Sequence, residues 1–266
     1  MGSEEDHAQW RERWESLFYP GTRTLVNLLN IRDPEQLKKA EFEISSAIGQ
    51  QILKTAPTAN IEFGLDHMRE MHKELFGRIY AWAGEVRDFG LIRPRIDDPL
   101  ITRFTVPEGI VPMDDQLKQH TKAILALKDV DFARSPREHQ QAFVTHISAA
   151  YQTANQMHPF REGNGRTQRI WLEQLSRIAG WRLNYDKVEP RAWNYAASMS
   201  TTGELDGMLS AGMPDKLKQV FGHIAIHQKA LYNPYIQGKL GNHGQTARVL
   251  EIGELSPLFQ SRNLRI

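Results

Sequence analysis

The chain reads as a mainly α-helical bundle with a small β-hairpin and a partial β appendage at its C-terminus. Three observations predict this class. Apolar residues recur at three- and four-residue spacing through most of the length. Short β-rich pieces cluster between Val86 and Val106, broken by Pro94 and Pro99. After Asn233 the texture changes to the glycine-rich NPYIQGKLGNHG, followed by the strand-like TARVLEIGEL.

The elements follow in order. Asp33 precedes Pro34, an N-cap before a proline at the first helical position, and opens a helix to about Lys54 with Leu37, Phe42, Ile44 and Ile48. A second helix runs from about Phe63 to Trp82 on Leu65, Met68, Met71, Leu75, Phe76 and Ile79, with Gly84 as its stop. Residues 86–106 form the hairpin. Helical pattern resumes from Met113 to about Leu127. Ser135-Pro136 opens the next helix, whose stripe is Phe143, Ile147, Ala150, Ala154 and Met157. It stops at His158, because Pro159 disfavours helix in the residue before it. A helix from about Asn164 to Ile178 ends at Gly180, and further pieces cover Pro190–Met199 and Pro214–Tyr232.

Composition narrows the function. Net charge is +1, so no general field draws the chain to nucleic acid or to a membrane surface. There is no cysteine, which excludes disulfides, thiolate metal sites and a cysteine nucleophile and fits a reducing cytosol. No apolar run approaches the roughly 18 residues of a membrane span, and the acidic N-terminus lacks the apolar stretch of a signal peptide.

One stretch concentrates chemistry: HPFREGNGRTQR, His158 to Arg169. Gly163 and Gly165 flank Asn164 just before a helix. Glycines there admit positive φ and close approach of a ligand, and the first N–H groups of the helix make an anion site. Arg166 and Arg169, three apart, share a face, and an anion between them offsets their repulsion. Glu162 is an acid in a basic setting, which suits Mg²⁺ held together with phosphate oxygens. His158 stands across the turn and can accept a hydroxyl proton near neutral pH. The set suits phosphoryl or nucleotidyl transfer. A lone Gly-Asn-Gly turn is usually structural; the twelve residues together are not explained that way.

Other groups carry less. His67 and His72 lie five apart, not at the four-residue spacing of a helical zinc pair, and read as surface or scaffold residues. His139 and His146 share a helix face without acid partners. The six tryptophans read as packing.

The stretch resembles the signature of Fic-domain proteins, HPFx[DE]GNGRxxR, at every fixed position: His158, Pro159, Phe160, Glu162, Gly163, Asn164, Gly165, Arg166 and Arg169. Upstream, Gly64 to Arg87 resembles that family's helix and W-A-G-x-x-R segment. The resemblance covers roughly residues 30–222. It implies a helical Fic fold at 31–222, an N-terminal extension at 1–30 and a C-terminal extension at 223–266, the last resembling the start of an OB-like domain in type IV secretion effectors.

The activity implied is AMPylation, transfer of AMP from ATP to a Ser, Thr or Tyr hydroxyl of a target protein. By resemblance, His158 is the general base and Glu162 holds Mg²⁺. Gly163, Asn164 and Gly165 cradle phosphate, Arg166 contacts the β/γ end, and Arg169 supports it. The phosphorylating branch of the family has Lys at the position of Gly165, which argues against kinase activity; transfer of UMP or phosphocholine and a non-catalytic nucleotide-binding module stay as alternatives. The hairpin resembles the family's flap, which docks the target by strand addition. On it Arg93, Phe104 and Thr105 match loosely. The long tip PRIDDPLITR, with Asp97 and Asp98, is a candidate selector of the target, for which Fic effectors suggest a small GTPase. An inhibitory helix of pattern [ST]-x-x-x-E-[GN] is not found. STTGEL, Ser200 to Leu205, has the spacing but contains Gly203, so a separate antitoxin-like inhibitor is the expected partner. Such a protein resides in the bacterial cytoplasm before export into a host cell.

Overall fold

A computed structural model of the chain describes residues 4–55, 61–94, 101–205, 208–231 and 249–255. It is mainly helical. The principal helices are α1 (Glu4–Glu15), α2 (Pro34–Lys54), α3 (Leu65–Phe76), the short α4 (Pro107–Ile110), α5 (Asp114–Ala126), α6 (Pro136–Met157), α7 (Asn164–Ile178), α8 (Pro190–Ser200) and α9 (Asp215–Ile224). Two single-turn helices follow, α10 (Gln228–Leu231) and α11 (Ile252–Leu255).

The helix starts are where side-chain chemistry puts them. Asp33 caps α2 by accepting from the Gln36 N–H at 2.8 Å, and proline occupies the first turn of α2, α6 and α8. The centre of the bundle is α6, which packs against α5, α7, α8 and α9. Phe143, Ile147, Ala150, Ala154 and Met157 on it are fully buried, as are Trp171, Leu172 and Leu175 of α7. Each large apolar side chain so buried contributes about 1.5–3 kcal/mol. The C-terminal end of α6 and the N-terminal end of α7 are therefore the rigid mounts of everything between them.

Among the described residues the strands are short and gathered in two sheets. The larger has the order β1 (Ile92–Pro94), β2 (Ile101–Arg103), β4 (Gly203–Leu205), β5 (Met208–Ser210), all antiparallel. Arg93 faces Thr102 across the hairpin, and Thr102 faces Gly203 on its other side. The smaller sheet pairs β3 (Trp181–Leu183) with β6 (Ala225–His227).

The structure corrects three expectations. The second helix ends at Phe76 rather than Trp82. Gly77 closes it, and the next residues turn so that Tyr80 reaches Glu41 at 2.6 Å and Ile79 O accepts from the Leu28 N–H. The helix expected over Pro214–Tyr232 stops at Ile224, where pairing with β3 draws Ala225–His227 into a strand. In TARVLEIGEL, Leu250 makes one parallel bridge to Val188, and Ile252–Leu255 is a helical turn packed on α8.

Candidate active site

His158 is the first residue beyond α6 and adopts a left-handed backbone, φ 42°, with its N–H still bonded to Ala154 O at 3.1 Å. This breaks the helix and starts the turn. The turn is closed by Asn164, which is buried. Its Oδ1 accepts from the Phe160 N–H at 3.0 Å and its Nδ2 donates to Phe160 O at 2.7 Å. The side-chain amide of Asn164 thus folds the loop, and what it can offer an anion is its backbone N–H. Gly163 has φ +78°, and a Cβ there would sit 2.5 Å from Phe76 and 3.1 Å from His72 Nε2. At Gly165 an added Cβ would meet nothing within 4 Å. One glycine is required by the protein, whereas the other leaves space. Thr167 N bonds Gly163 O at 3.0 Å. The N–H groups of Asn164, Gly165 and Arg166, ahead of it, have no intrahelical acceptor.

Beneath the turn lies His72, fully buried and stacked on Phe160 at 4.0 Å. Its Nδ1 accepts from the Gly84 N–H at 2.9 Å, so the proton must be on Nε2, which donates to Glu162 O at 2.9 Å. Burial, aided by the nearby Arg166 charge, pushes its pKa down to about 4 against the pull of the Glu162 carbonyl. It is neutral at physiological pH. His72 is therefore a buried support, not a surface residue. His67, partly buried, bonds Gln174 at 3.0 Å.

A cleft of about 300 Å³ opens above the turn. It is lined by His158, Glu162, Gly163–Arg166 and Arg169 together with Tyr151, Asn155, Trp193, Asn194 and Ala197. The two arginines differ. Arg166 lies over Phe76, bonds Ser45 Oγ at 3.2 Å and pairs with Glu41 at 3.3 Å. Arg169 is exposed and lies over Trp193 and Tyr185, 5.6 and 6.0 Å from their ring centres. Glu162 Oε2 accepts weakly from the Gly163 N–H at 3.3 Å. Among the described residues no three His, Asp or Glu side chains converge as a metal cluster.

The flap residues divide as well. Phe104 is buried and stacks on the His158 imidazole at 4.0 Å. Thr105 N bonds Gln156 O at 3.0 Å, and its hydroxyl meets Met113 Sδ. Arg93 is placed in β1 by its backbone. Asp97 and Asp98 lie outside the described residues. The STTGEL segment is not helical, since Ser200 ends α8 and Gly203–Leu205 is β4. Sequence reasoning missed Glu41, Ser45 and the support role of His72. Only the burial pattern of α3, with His72 on its apolar face, could have indicated the last.

No helix among the described residues is long and apolar enough to cross a membrane. The Fic/DOC family model matches residues 62–176. The Sinorhizobium fredii protein named "Probable protein adenylyltransferase y4lH" is 35% identical over 191 residues, 72% of this chain and 90% of that one. The Escherichia coli K12 "Probable protein adenylyltransferase Fic" is 30% identical over 191 residues, 71% of this chain and 86% of that one. The Bartonella schoenbuchensis "Protein adenylyltransferase VbhT" is 30% identical over 71% of this chain, which spans only 36% of that relative's length. Among solved structures, the N-terminal Fic domain of a Bartonella quintana VirB-translocated effector with bound ADP superposes with a TM-score of 0.66 at 24% identity, over 82% of this chain and 97% of that one. Bartonella tribocorum BepC with bound AMPPNP gives 0.65 at 21% identity, over 80% and 98%.

Proposed function

This chain belongs to the Fic/DOC family, and on that premise we propose that it is a protein adenylyltransferase, moving AMP from ATP to a hydroxyl of a target protein. The observation that carries the reading is the convergence of His158, Glu162, the N-terminus of α7 and Arg169 on one cleft.

In this reading His158 takes the proton of the target hydroxyl. That oxygen forms a bond to the α-phosphorus, the bond from phosphorus to the bridging oxygen breaks, and pyrophosphate leaves with the electron pair. The unpaired N–H groups of Asn164, Gly165 and Arg166 receive the phosphate charge. Arg169 faces the cleft and is better placed for the terminal phosphates than Arg166, which Glu41 and Ser45 brace against α2. Trp193 and Asn194 offer a wall for the nucleoside. A single carboxylate beside a phosphate cradle fits Mg²⁺, which takes one or two carboxylates plus phosphate oxygens. Glu162 would hold it, and it would neutralise charge between phosphates.

The target adds a strand to the flap. Because β4 already covers the outer edge of β2, the edge left to it is β1. The charged tip at Asp97 and Asp98 selects the target, a small GTPase being the candidate. Reversing both charges with target choice unchanged would remove that role. The likeness to VirB-translocated effectors motivates the reading that the protein is exported, and a separate antitoxin-like inhibitor is proposed because Ser200–Leu205 forms no inhibitory helix.

The test is a lysate incubated with Mg²⁺ and ATP labelled at the α- or the γ-phosphate. Label on protein from α-labelled ATP alone is expected. Label from γ-labelled ATP alone assigns kinase activity instead, and tight ATP binding with no label assigns a nucleotide-binding module.

A further inference from the structure

Arg87 is almost completely buried, 1% exposed, and its guanidinium is met by carbonyl oxygens. Nε donates to His158 O at 2.7 Å, and Nη2 donates to Met157 O at 3.1 Å and to Thr105 O. Nη1 donates to Phe89 O, and the Arg87 backbone N–H donates to Pro159 O at 2.8 Å. Three parts of the chain meet on this side chain. Met157 to Pro159 is the end of α6 with the proposed base. Phe89 lies just before β1 and Thr105 just after β2, so both roots of the flap hairpin are tied to the same planar group.

The arrangement answers a local need. The end of a helix and the two hairpin roots present carbonyl oxygens that water does not reach, and a cation with five donors in a fixed plane is the one side chain that meets them together. It also holds His158 in its left-handed backbone, a conformation few non-glycine residues adopt. Phe104, between β2 and the Thr105 anchor, stacks on the His158 ring at 4.0 Å. The imidazole and the flap are thereby fixed through one guanidinium, while the contacts that build the anion cradle, through Asn164 and His72, do not involve it.

We propose that Arg87 is a positioning residue that sets the flap in register with His158, so that a target strand docked on the flap presents its hydroxyl to the imidazole. This rests on the adenylyl-transfer reading. Loss of the register slows transfer and leaves nucleotide binding intact, because the cradle has its own supports. A merely structural arginine would lower both along with stability.

The test compares wild type with Arg87→Lys, which keeps the charge but replaces the planar fork with a point donor. AMPPNP affinity is measured by calorimetry, AMP transfer from α-labelled ATP to the lysate acceptor, and amide exchange at Phe104 and Thr105. Expected are unchanged AMPPNP affinity, transfer slowed about a hundredfold as for a reacting group misplaced by an ångström, and faster exchange at Phe104 and Thr105. Unchanged transfer, or transfer falling only as far as AMPPNP affinity falls, overturns the proposal. If wild type transfers no label, the adenylyl-transfer reading fails separately, and unchanged exchange in Arg87→Lys then overturns the register itself. If Arg87→Lys does not fold, the wild type decides by NMR. The Arg87 Nε–H must exchange as slowly as the Phe104 and Thr105 amides; free exchange at those amides beside a protected Nε–H reduces Arg87 to core filling and sinks the proposal.

Discussion

The turn at Gly163–Gly165 and His158 with the β1–β2 hairpin sit side by side, yet each is held by a buried polar side chain of opposite character. Under the turn is His72, a neutral imidazole with one donor and one acceptor, matched to one carbonyl and one N–H. Under the base and flap is Arg87, matched to carbonyls alone. The difference follows from backbone polarity. The turn leaves the N–H groups of Asn164, Gly165 and Arg166 without intrahelical acceptors, and beneath it only one carbonyl and one N–H need a partner, which a neutral imidazole supplies. A helix C-terminus and two hairpin roots leave carbonyls behind, and these need many donors. Burial lowers the Arg87 pKa to about 10, which still leaves it charged at neutral pH.

This contrast can be broken in several places. The largest effect is expected at Gly163→Ala, where positive φ and a 2.5 Å approach to Phe76 act together. The loss should be about 3 kcal/mol in denaturant melts, with loss of nucleotide binding; a stable variant that binds normally would mean the turn is not pinned.

His72 comes next, through acid. The unfolded chain binds a proton at His72 near pH 6.5, and the fold resists it until about pH 4. Stability is therefore full above about pH 6.5 and falls as pH drops toward 4, by about 3 kcal/mol from this residue. His227, pushed down to about 3 by burial, adds to the same limb. His72→Gln keeps a donor and an acceptor and should flatten the limb by the His72 share; an identical slope in pH-dependent melts counts against a neutral support.

Gly165→Ala separates fold from function. With open space around its Cβ it should gain about 0.5 kcal/mol of helix stability while weakening AMPPNP binding about tenfold, or 1.4 kcal/mol. Undiminished binding would place the phosphate elsewhere. The smallest effect belongs to the rim. Glu85 is mostly exposed in its 3.6 Å pair with Arg161, and Glu85→Ala should change stability by under about 1 kcal/mol and leave transfer unchanged.

The His158–Arg169 turn was legible in the sequence because its residues are contiguous and chemically distinctive. The helices were legible where apolar spacing and caps agreed, as at Asp33-Pro34 and Ser135-Pro136. The cover of β2 by β4 was not, since three-residue strands carry no periodicity and their pairing is set by the body they rest on. For the same reason Ala225–His227 read as helix. Arg87 stood inside a recognised segment, but its partners are backbone carbonyls up to 71 residues away, which no side-chain pattern records. The burial of His72 follows from its place on the apolar face of α3, which its five-residue spacing from His67 does not show.

In the proposed function His158 performs the chemistry while the turn binds the nucleotide. The direct measurement is AMPPNP affinity beside AMP transfer rate in His158→Ala. Unchanged affinity and transfer slower by roughly a hundred- to ten-thousandfold are expected. Transfer at the wild-type rate would contradict this role of His158.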